Sequence, residues 1–307
     1  MKNKYKIFLL IFAVVMIVSL YLAYKTHADY AGVRKSRLSL RKRNLAWQAL
    51  DRKVTDEVNN FHTEVGVIIK DLNQGWQIIH GQNKLFPAAS LVKIPIMVSC
   101  FYAAENGKIS LEGKVPLNDT YKVPGSGWLK NIRGEAEFSV AQLIDLMITE
   151  SDNTATNMLI DLLGFDYLNQ SFKKFGLRNS NLSRKMMDFS DRRDGIENYT
   201  TARDISYILE KIYCGKLINQ KISKQCLGLL ERQKMRDRIP ARLPADTIIA
   251  HKTGLERGIC HDAGIVFTPN GDFLICVLVK HKNKTARPAK KFIARIAFLA
   301  YNYYTEQ

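Results

Sequence analysis

A serine and a lysine that could together carry out acyl transfer lie three positions apart, at Ser90 and Lys93. They stand where a Pro-Ala-Ala turn runs into the apolar stretch Ile94–Cys100, and this pattern predicts a helix that begins at Ser90. Residues three apart in a helix project from the same face, so the amine would lie within reach of the hydroxyl. The free N–H groups and positive dipole end of the first turn would stabilise an oxyanion. A helix cap followed by a surface lysine has the same sequence, so the pair alone does not establish a site.

Two more short motifs place polar groups at the ends of predicted elements. Ser151 and Asn153 lie at a predicted break between helical segments, and Lys252-Thr253-Gly254 ends a predicted strand. Each motif alone is a weak signal. In the order Ser90, Ser151, Lys252, at separations of 61 and 101 residues, the three motifs together are a strong signal of a catalytic site.

The chemistry of these residue types agrees with that signal. A serine hydroxyl needs a nearby base, and Lys93 can serve if its pKa is lowered. A second cation such as Lys252 close by would lower that pKa. Two backbone N–H donors aimed at the developing oxyanion would supply a large share of the rate, and an anionic substrate would suit the basic pocket.

The motifs and the order of predicted elements resemble those of the penicillin-recognising serine hydrolases, most closely the class A β-lactamase family, over residues 40–305. The resemblance implies an acyl-enzyme mechanism without a cofactor or a metal. It assigns the following roles: nucleophile Ser90, proton acceptor Lys93, proton relay Ser151, substrate-binding Asn153, Thr253 and Gly254, catalytic Lys252 beside the substrate carboxylate, and the oxyanion-hole N–H groups of Ser90 and Leu255.

The residue that would activate the deacylating water is not evident. Class A enzymes carry a Glu in a loop after the Ser-Asp-Asn segment, but the corresponding stretch Leu182–Thr201 contains no Glu-Leu-Asn. Among the carboxylates of this stretch, Asp188 is nearest to the position where the base is expected. Glu197 is expected to close the loop by an ion pair with Arg184. Asp is one methylene shorter than Glu, and a displacement of about 1 Å can cost ~100-fold in rate. We therefore expect acylation to be intact and deacylation to be slow or differently catalysed.

Residues beside the motifs have both functional and structural interpretations. Trp128 either lines the rim of the cleft as an aromatic wall or packs into the fold. Asp152 is expected to tie down its own turn. Arg257 and His261 either add positive charge near the substrate carboxylate or are ordinary exposed loop residues, and the Met186–Met187 pair is expected in the core.

Length and composition indicate a globular protein with a sizeable core, since 46% of its 307 residues are hydrophobic. The formal net charge is +17, and much of the positive excess lies in residues 1–60, which contain twelve Lys/Arg and four Asp/Glu. The basic run Lys280–Lys291 is interpreted as a solvated helix start, and no nucleic-acid partner is expected. Five cysteines without Cys-x-x-Cys spacing argue against zinc and against a disulfide framework, although Cys214 and Cys226 could pair in an oxidising compartment.

Residues 7–24 form an uncharged, largely apolar run of eighteen residues behind Lys2, Lys4 and Lys6. This length is near the lower limit for spanning a membrane, so the run is an anchor or a signal peptide. We expect an uncleaved single-pass anchor with the catalytic body outside the cytoplasm, in the periplasm or at the cell surface; cleavage would make the protein secreted. The basic residues after the run oppose this orientation by the positive-inside rule.

The predicted elements indicate an α+β fold: a mixed, mainly antiparallel sheet flanked by helices, with an inserted all-helical domain. The predicted strands are Glu64–Asp71, Trp76–His80, Thr247–His251, Ala263–Thr268 and Phe273–Lys280, and the last helix is Ala289–Tyr304. The predicted domains are 1–37 as the anchor with its basic flank, and 38–307 as the hydrolase, with 38–106 and 246–307 as its α/β part and 107–245 as its helical part.

Three functions share these parts, and a monomer is expected for each. The first is a membrane-anchored serine hydrolase that opens β-lactam rings. The second is a D,D-carboxypeptidase, or penicillin-binding protein, acting on peptidoglycan stem peptides. The third is a β-lactam receptor that is acylated once, which the six residues before the apolar run make less favourable because they are too few for an output domain.

Overall fold

The computed structural model describes residues 2–305, and within residues 2–39 it describes only the side chains of residues 5, 15–22, 24 and 25. The chain divides into two compact units, Met1–Leu50 and Asp51–Gln307. Helix α1 (Lys2–Asn60) begins in the first and ends in the second. The predicted boundary after residue 37 stays a prediction.

The first unit contains the predicted apolar run. Its backbone is helical over residues 7–24, while the side chains of residues 7–14 and 23 lie outside the described residues. The described large apolar side chains from Val15 to Tyr24 are exposed. Among the residues that the structure describes, no helix combines the length and apolar character needed to cross a membrane.

The second unit contains the remaining helices and all of the strands described. The helices are α2 (Lys93–Glu105), α3 (Val140–Thr149), α4 (Asn153–Leu163), α5 (Phe165–Lys174), α6 (Phe189–Arg193), α7 (Ala202–Tyr213), α8 (Gln220–Glu231) and α9 (Arg287–Thr305). The strands are β1 (Glu64–Asp71), β2 (Gln77–His80), β3 (Phe86–Pro87), β4 (Lys114–Pro116), β5 (Glu137–Ser139), β6 (Tyr199–Thr200), β7 (Ile249–Glu256), β8 (Ile259–Val266) and β9 (Phe273–Lys280).

The main sheet has five strands in the order β2-β1-β9-β8-β7, and every pair in it is antiparallel. The α+β prediction is confirmed, with a sheet that is antiparallel throughout instead of mixed. β1 and β9 have the predicted bounds. β7 differs: it continues past His251 because β8 pairs with it as far as Glu256, opposite Ile259. The Lys-Thr-Gly triplet therefore lies inside an edge strand and not at its end.

Helices cover the sheet and form the middle of the unit. α7 packs against β1, β8 and β9, and α9 packs against β8 and β9. α2 is the central helix and contacts α3, α4, α5 and α8. Ten of its thirteen residues are buried, as expected for a helix that is apolar all round. Pro95 lies in its first turn, where a missing N–H breaks no helical hydrogen bond.

The five cysteines are free thiols. Cys214 is exposed and Cys226 is buried, so the pairing that the sequence left open is not formed.

Candidate active site

Ser90 lies in a tight turn that leads into the central helix. Residues Ala89–Val92 form a 3-10 helix, and α2 follows at Lys93, which confirms a helical start at this point. Ala89 has a φ of 45°, in the left-handed region that non-glycine residues rarely adopt. Such strain persists only where the surroundings enforce it, and it is frequent at functional sites. The Ser90 side chain is partly exposed, in contrast to the buried Lys93.

Two neighbouring segments hold this turn. The N–H of Ala88 donates to the carbonyl oxygen of Asn198 at 2.7 Å. On the other side the turn lies against β7 at Gly254, where an added Cβ would come within 3.3 Å of the Ala89 Cβ and 3.4 Å of the Ala88 oxygen. A side chain at Gly254 would be in tight contact with this turn, so that the turn or the strand would have to shift slightly. The glycine of the triplet thus keeps β7, and with it the backbone of Leu255, close to the Ser90 turn.

His261 on β8 fixes the start of the same turn. Its Nε2 lies 2.9 Å from the Pro87 carbonyl oxygen, while its Nδ1 accepts the N–H of Val279 at 3.1 Å. Burial lowers the pKa of His261 to about 4, although the Pro87 carbonyl opposes this. The ring is therefore neutral and protonated on Nε2 at ordinary pH. The interpretations of His261 as a positive charge or an exposed loop residue are both wrong, because β8 starts earlier than predicted and buries it.

Lys93 is buried and turned toward the break between α3 and α4. Its Nζ lies 2.7 Å from the Ser151 carbonyl oxygen, 2.8 Å from Asn153 Oδ1 and 3.2 Å from Ser151 Oγ. Burial, and next the charge of Lys252, hold the pKa of Lys93 well below its usual value, while Asp152 and Glu256 oppose the shift. In the neutral form that a lowered pKa favours, the amine has two hydrogens for these three oxygen acceptors. Its lone pair is then left to take up a proton.

Lys252 reaches the same hydroxyl from the sheet. Its Nζ donates to Ser151 Oγ at 2.9 Å and to the Thr253 carbonyl oxygen at 3.2 Å. Burial lowers the pKa of Lys252 to about 7, and the charge of Arg238 adds to this while Asp262 opposes it. Ser151 Oγ therefore lies between two buried amines. Ser151 itself has a φ of 56°, a second strained residue at the site.

Asp152 builds the turn around Ser151, as predicted. Its carboxylate accepts the N–H groups of Trp128 and Leu129 at 2.9 and 3.0 Å, and that of Ala155 at 2.9 Å as the cap of α4. Gly127 is required beside it, since an added Cβ would lie 2.2 Å from the carboxylate. These bonds fix the backbone that carries Trp128.

The substrate-binding residues implied by the resemblance lie around this centre. Asn153 donates its amide N–H to the Pro124 carbonyl oxygen at 3.2 Å while its Oδ1 faces Lys93. Thr253 is buried on β7, whereas the Leu255 side chain is half-exposed. The Trp128 side chain is 45% exposed and packs edge-on against Phe138. The ring therefore packs in part, as the structural interpretation expects, while its place at the rim of the cleft stays a prediction.

The predicted ion pair closes the loop of residues 182–201. Arg184 Nη2 lies 2.7 Å from Glu197 Oε1, both side chains being buried. Two further charges complete a ring: Glu256 at the end of β7 lies 3.3 Å from Arg184 and 2.9 Å from Arg192, and Arg192 lies 3.2 Å from Glu197. The 182–201 loop is thus joined to the strand that carries the Lys-Thr-Gly triplet.

Asp188 has a structural role that the sequence did not indicate. Its Oδ1 accepts the N–H groups of Ser190 and Asp191, at 3.1 Å each, and caps the short helix α6. A carboxylate is a preferred cap because it satisfies the free N–H groups of a first helical turn. The carboxylates that act on the pKa of Lys93 are Asp152 and Glu256. The contacts of Asp188 are those of a helix cap and not those of a base beside Lys93.

Met186 is the loop residue that α4 holds next to the site. Asn157, one helical turn beyond Asn153, accepts the Met186 N–H at 2.8 Å and donates to its carbonyl oxygen at 3.2 Å. The Met186 side chain is buried, whereas that of Met187 lies beside Gly125, near Asn153. The spacing of Asn157 from Asn153 was the sequence signal for this clamp, since residues four apart share a helix face.

Arg238 is a site residue that sequence patterns did not indicate. Its guanidinium is buried, with Nε 3.4 Å from Cys260 Sγ and Nη1 3.1 Å from Asp237. It acts on the pKa of Lys252 and so adds positive charge to the pocket. The residue lies in a basic run, Lys234–Arg238, in which spacing does not distinguish one cation from another.

Comparison with known proteins agrees with this geometry. The model of the β-lactamase enzyme family matches residues 49–304. The chain is 26% identical to β-lactamase VEB-1 of Pseudomonas aeruginosa, over 83% of this chain and 90% of the relative. A β-lactamase structure from Sphaerobacter thermophilus is 29% identical with a TM-score of 0.76, covering 85% of this chain and 98% of the other.

A second kind of relative has the same fold. PBP-A is 29% identical with a TM-score of 0.77, covering 84% of this chain and 97% of the other, and a point mutant of PBP-A was solved as an acyl-enzyme complex with penicillin G. The match of the family model over most of the chain, with the serine, the two buried lysines and the strand triplet in one place, shows that this chain belongs to the β-lactamase enzyme family.

Proposed function

We propose that this chain is a serine hydrolase whose Ser90 is acylated by β-lactams and which releases the acyl group slowly. One observation carries the proposal: Ser151 Oγ lies between the buried amines of Lys93 and Lys252, at 3.2 and 2.9 Å, and Lys93 shares a helical turn with Ser90. The relatives named as β-lactamases, and the penicillin complex of PBP-A, support the same chemistry.

Acylation starts with the Ser90 hydroxyl. Its oxygen attacks the β-lactam carbonyl carbon while its proton passes to the neutral Nζ of Lys93. The carbonyl oxygen becomes negative and accepts the backbone N–H groups of Ser90 and Leu255. The C–N bond of the ring then breaks. Its electron pair stays on nitrogen, which takes the proton from Ser151 Oγ, and Ser151 recovers a proton from Lys93.

The anionic substrate is held by the positive side of the pocket. Lys252 and Thr253 on β7 would bind the substrate carboxylate, and the buried Arg238 is a further positive charge close enough to act on the pKa of Lys252. A buried cation attracts an anion more strongly than an exposed one, because water screens the pair less. Substrates without a carboxylate should therefore bind poorly.

Deacylation requires a base for the attacking water, and the two strongest candidates in the 182–201 loop, Asp188 and Glu197, are engaged elsewhere. Asn157 holds Met186 at the point where this loop passes next to α4. Asp188 is engaged as a helix cap and Glu197 in the ring of charges. The acyl-enzyme should therefore persist.

The test uses a chromogenic cephalosporin, nitrocefin, with the wild-type chain and Ser90→Ala. We expect a burst followed by slow turnover, and mass spectrometry should find the adduct on Ser90. Rapid turnover without a detectable adduct would overturn slow deacylation. If Ser90→Ala formed as much adduct as the wild-type chain, the assignment of Ser90 as the nucleophile would be wrong.

A D,D-carboxypeptidase is the second candidate, favoured by the lack of a loop glutamate beside Lys93 and by the likeness to PBP-A. Release of D-Ala from a stem-peptide mimic, measured beside nitrocefin turnover, separates the two. Release that is faster than nitrocefin turnover and absent in Ser90→Ala identifies a peptidase. A receptor would show a permanent adduct on Ser90, no turnover of nitrocefin and no release of D-Ala.

We also propose that the protein is a monomer held at a membrane by residues 7–24, with the catalytic unit outside the cytoplasm. Support comes from the lysines before this run and from the exposed apolar side chains between Val15 and Tyr24. Peptidoglycan and the β-lactams that resemble its peptides are met outside the cytoplasm. A reporter that is active only there, fused after the catalytic unit, would give no signal if the orientation were reversed.

A further inference from the structure

A second pocket lies at the far end of the central helix, and we call it the lysine pocket. It is an open surface pocket of about 340 Å³, formed where α2, α5 and α7 meet the segment after α7. Its lining includes three lysines and three aromatic residues: Lys174, Lys211, Lys216, Tyr102, Phe175 and Tyr207. Tyr102 is nine residues from Lys93 along α2, which corresponds to roughly 13 Å. The pocket is therefore separate from the active site.

The three ammonium groups have no carboxylate partner within 4 Å among the described residues. Glu210, next to Lys211 in sequence, is engaged with Lys70 at 2.8 Å. Lys174 and Lys216 are exposed and Lys211 is partly buried, so the three charges lie on an accessible surface where an anion could approach all of them.

The lysines could instead serve the helix ends, since Lys174 and Lys211 lie in the last turns of α5 and α7. Backbone groups already satisfy carbonyl oxygens there: Gly176 N–H bonds to Lys173 and Lys216 N–H bonds to Lys211, each at 3.0 Å. The ammonium groups are therefore not needed as hydrogen-bonding caps.

The aromatic residues are arranged around two of the cations. Lys174 Nζ lies 4.7 Å from the centroid of the Tyr102 ring and donates to its hydroxyl, and Lys211 Nζ lies 5.3 Å from the Tyr207 centroid. The Tyr207 ring packs close to Gly176, where an added Cβ would lie 3.0 Å from it. Its side chain is 41% exposed, so ring surface is left for a ligand.

We propose that the lysine pocket binds a phosphate monoester carried on a ring, the ammonium groups holding the phosphate and Tyr207 stacking on the ring. Lysine is a common ligand of phosphate because it offers a compact charge with three donors. Aromatic side chains stack on bases and pack against the faces of other rings. A nucleotide and a sugar phosphate share this chemistry.

The test is calorimetric titration of the full-length chain in neutral detergent with phenyl phosphate, AMP, glucose 1-phosphate and inorganic phosphate. We expect at least one ring phosphate to bind more tightly than inorganic phosphate. Lys211→Gln should weaken its binding by about tenfold or more, since a charged hydrogen bond is lost. Tyr207→Leu should weaken the binding of the ring phosphates and leave the affinity for inorganic phosphate unchanged.

The matched control is Lys173→Gln, the same charge change one residue from Lys174 and outside the lining. It should leave affinity unchanged. AMP binding more tightly than glucose 1-phosphate identifies a planar ring, and the reverse identifies a sugar. An equal loss in Lys173→Gln, or no binding by any ring phosphate to the folded wild-type chain, overturns the proposal.

Discussion

At the scale of single residues, the reaction depends on the Ser151 hydroxyl between two buried amines. Ser151→Ala removes the path by which a proton reaches the ring nitrogen. We expect the acylation rate to fall by about 100-fold or more, the usual contribution of a positioned acid or base. Stopped-flow measurement of the nitrocefin burst would show it.

Ser99→Ala is the control for that substitution. It also removes a buried hydroxyl, but this one bonds to the Pro95 carbonyl oxygen within α2. Acylation should stay within about twofold of wild type, because no proton passes through Ser99. A comparable loss in both variants would mean that the effect of Ser151→Ala is structural.

The pH dependence of acylation should report Lys252, whose pKa burial lowers to about 7. Its ammonium must be charged to hold the substrate carboxylate, and a pKa near 7 means that the charge is lost as the pH rises through 7. We expect kcat/KM for nitrocefin to fall about tenfold per pH unit on the alkaline side. Lys93 acts in the opposite sense: it must be neutral, so activity also falls when the pH drops below its lowered pKa.

Lys252→Arg separates these two groups. Arginine stays charged over the whole range, so the alkaline fall should disappear even if the variant is slower. An unchanged alkaline limb in Lys252→Arg would assign the limb to another group.

Sequence patterns predicted those residues of the site that belong to short sequence motifs. Ser90, Ser151 and Lys252 each stand in such a motif, and their order along the chain specifies one arrangement. Arg238 and His261 could not be predicted, because their roles come from burial and from partners on other segments, Cys260 in one case and Pro87 in the other. Burial also reverses the expected charge of His261.

At the scale of elements, the ring of charges joins the 182–201 loop to β7. Glu256→Gln weakens two of its ion pairs and leaves Glu197 as the partner of Arg184 and Arg192. We expect a loss of about 1–3 kcal/mol in the free energy of unfolding, since Glu256 is only 13% exposed. Urea unfolding would measure the loss.

Glu210→Gln is the control for the ring of charges. It breaks the ion pair with Lys70 at a more exposed position, so the expected cost is below about 1 kcal/mol. Equal losses in the two variants would show that the ring adds nothing beyond an ordinary ion pair. Because the loop carries Met186, Glu256→Gln should also change the lifetime of the acyl-enzyme.

Met186 offers a direct test of slow deacylation. Asn157 clamps its backbone one helical turn beyond Asn153, so Met186→Glu would add a carboxylate where the loop passes the site. We expect the acyl-enzyme lifetime, followed by mass spectrometry, to shorten by about tenfold or more. Met186→Gln has the same length without a base and should leave the lifetime unchanged. Equal shortening in both variants would point to loop movement instead of base catalysis.

Elements were predictable where local patterns decide them. β1 and β9 are apolar runs bounded by turn residues, and their bounds were predicted to the residue. β7 was predicted too short because its continuation depends on pairing with β8, a property of two segments. The capping role of Asp188 was missed for a related reason: α6 has only five residues, too few for a periodic pattern.

At the scale of the whole molecule, the site is assembled from segments far apart in the chain. The Ser90 turn, the start of α4, the 182–201 loop and β7 meet only when the sheet and the helical part have both formed. Contacts between such distant segments make folding slow, because loop closure must precede the gain from packing. Acylation of Ser90 is therefore a sensitive report of complete folding, in truncated chains as well as in full-length protein.

That property allows the membrane attachment to be tested without losing the enzyme. A chain that starts at Lys25 lacks the apolar run but keeps the whole catalytic unit, so nitrocefin should acylate it at the rate of the full-length protein. The full-length protein should pellet with membranes through a high-salt wash and leave them only in detergent, because apolar burial is insensitive to salt screening. Release of the full-length protein by salt alone would mean that its basic residues, and not the run, bind the membrane. An equal distribution of both chains in the soluble fraction would overturn the anchor.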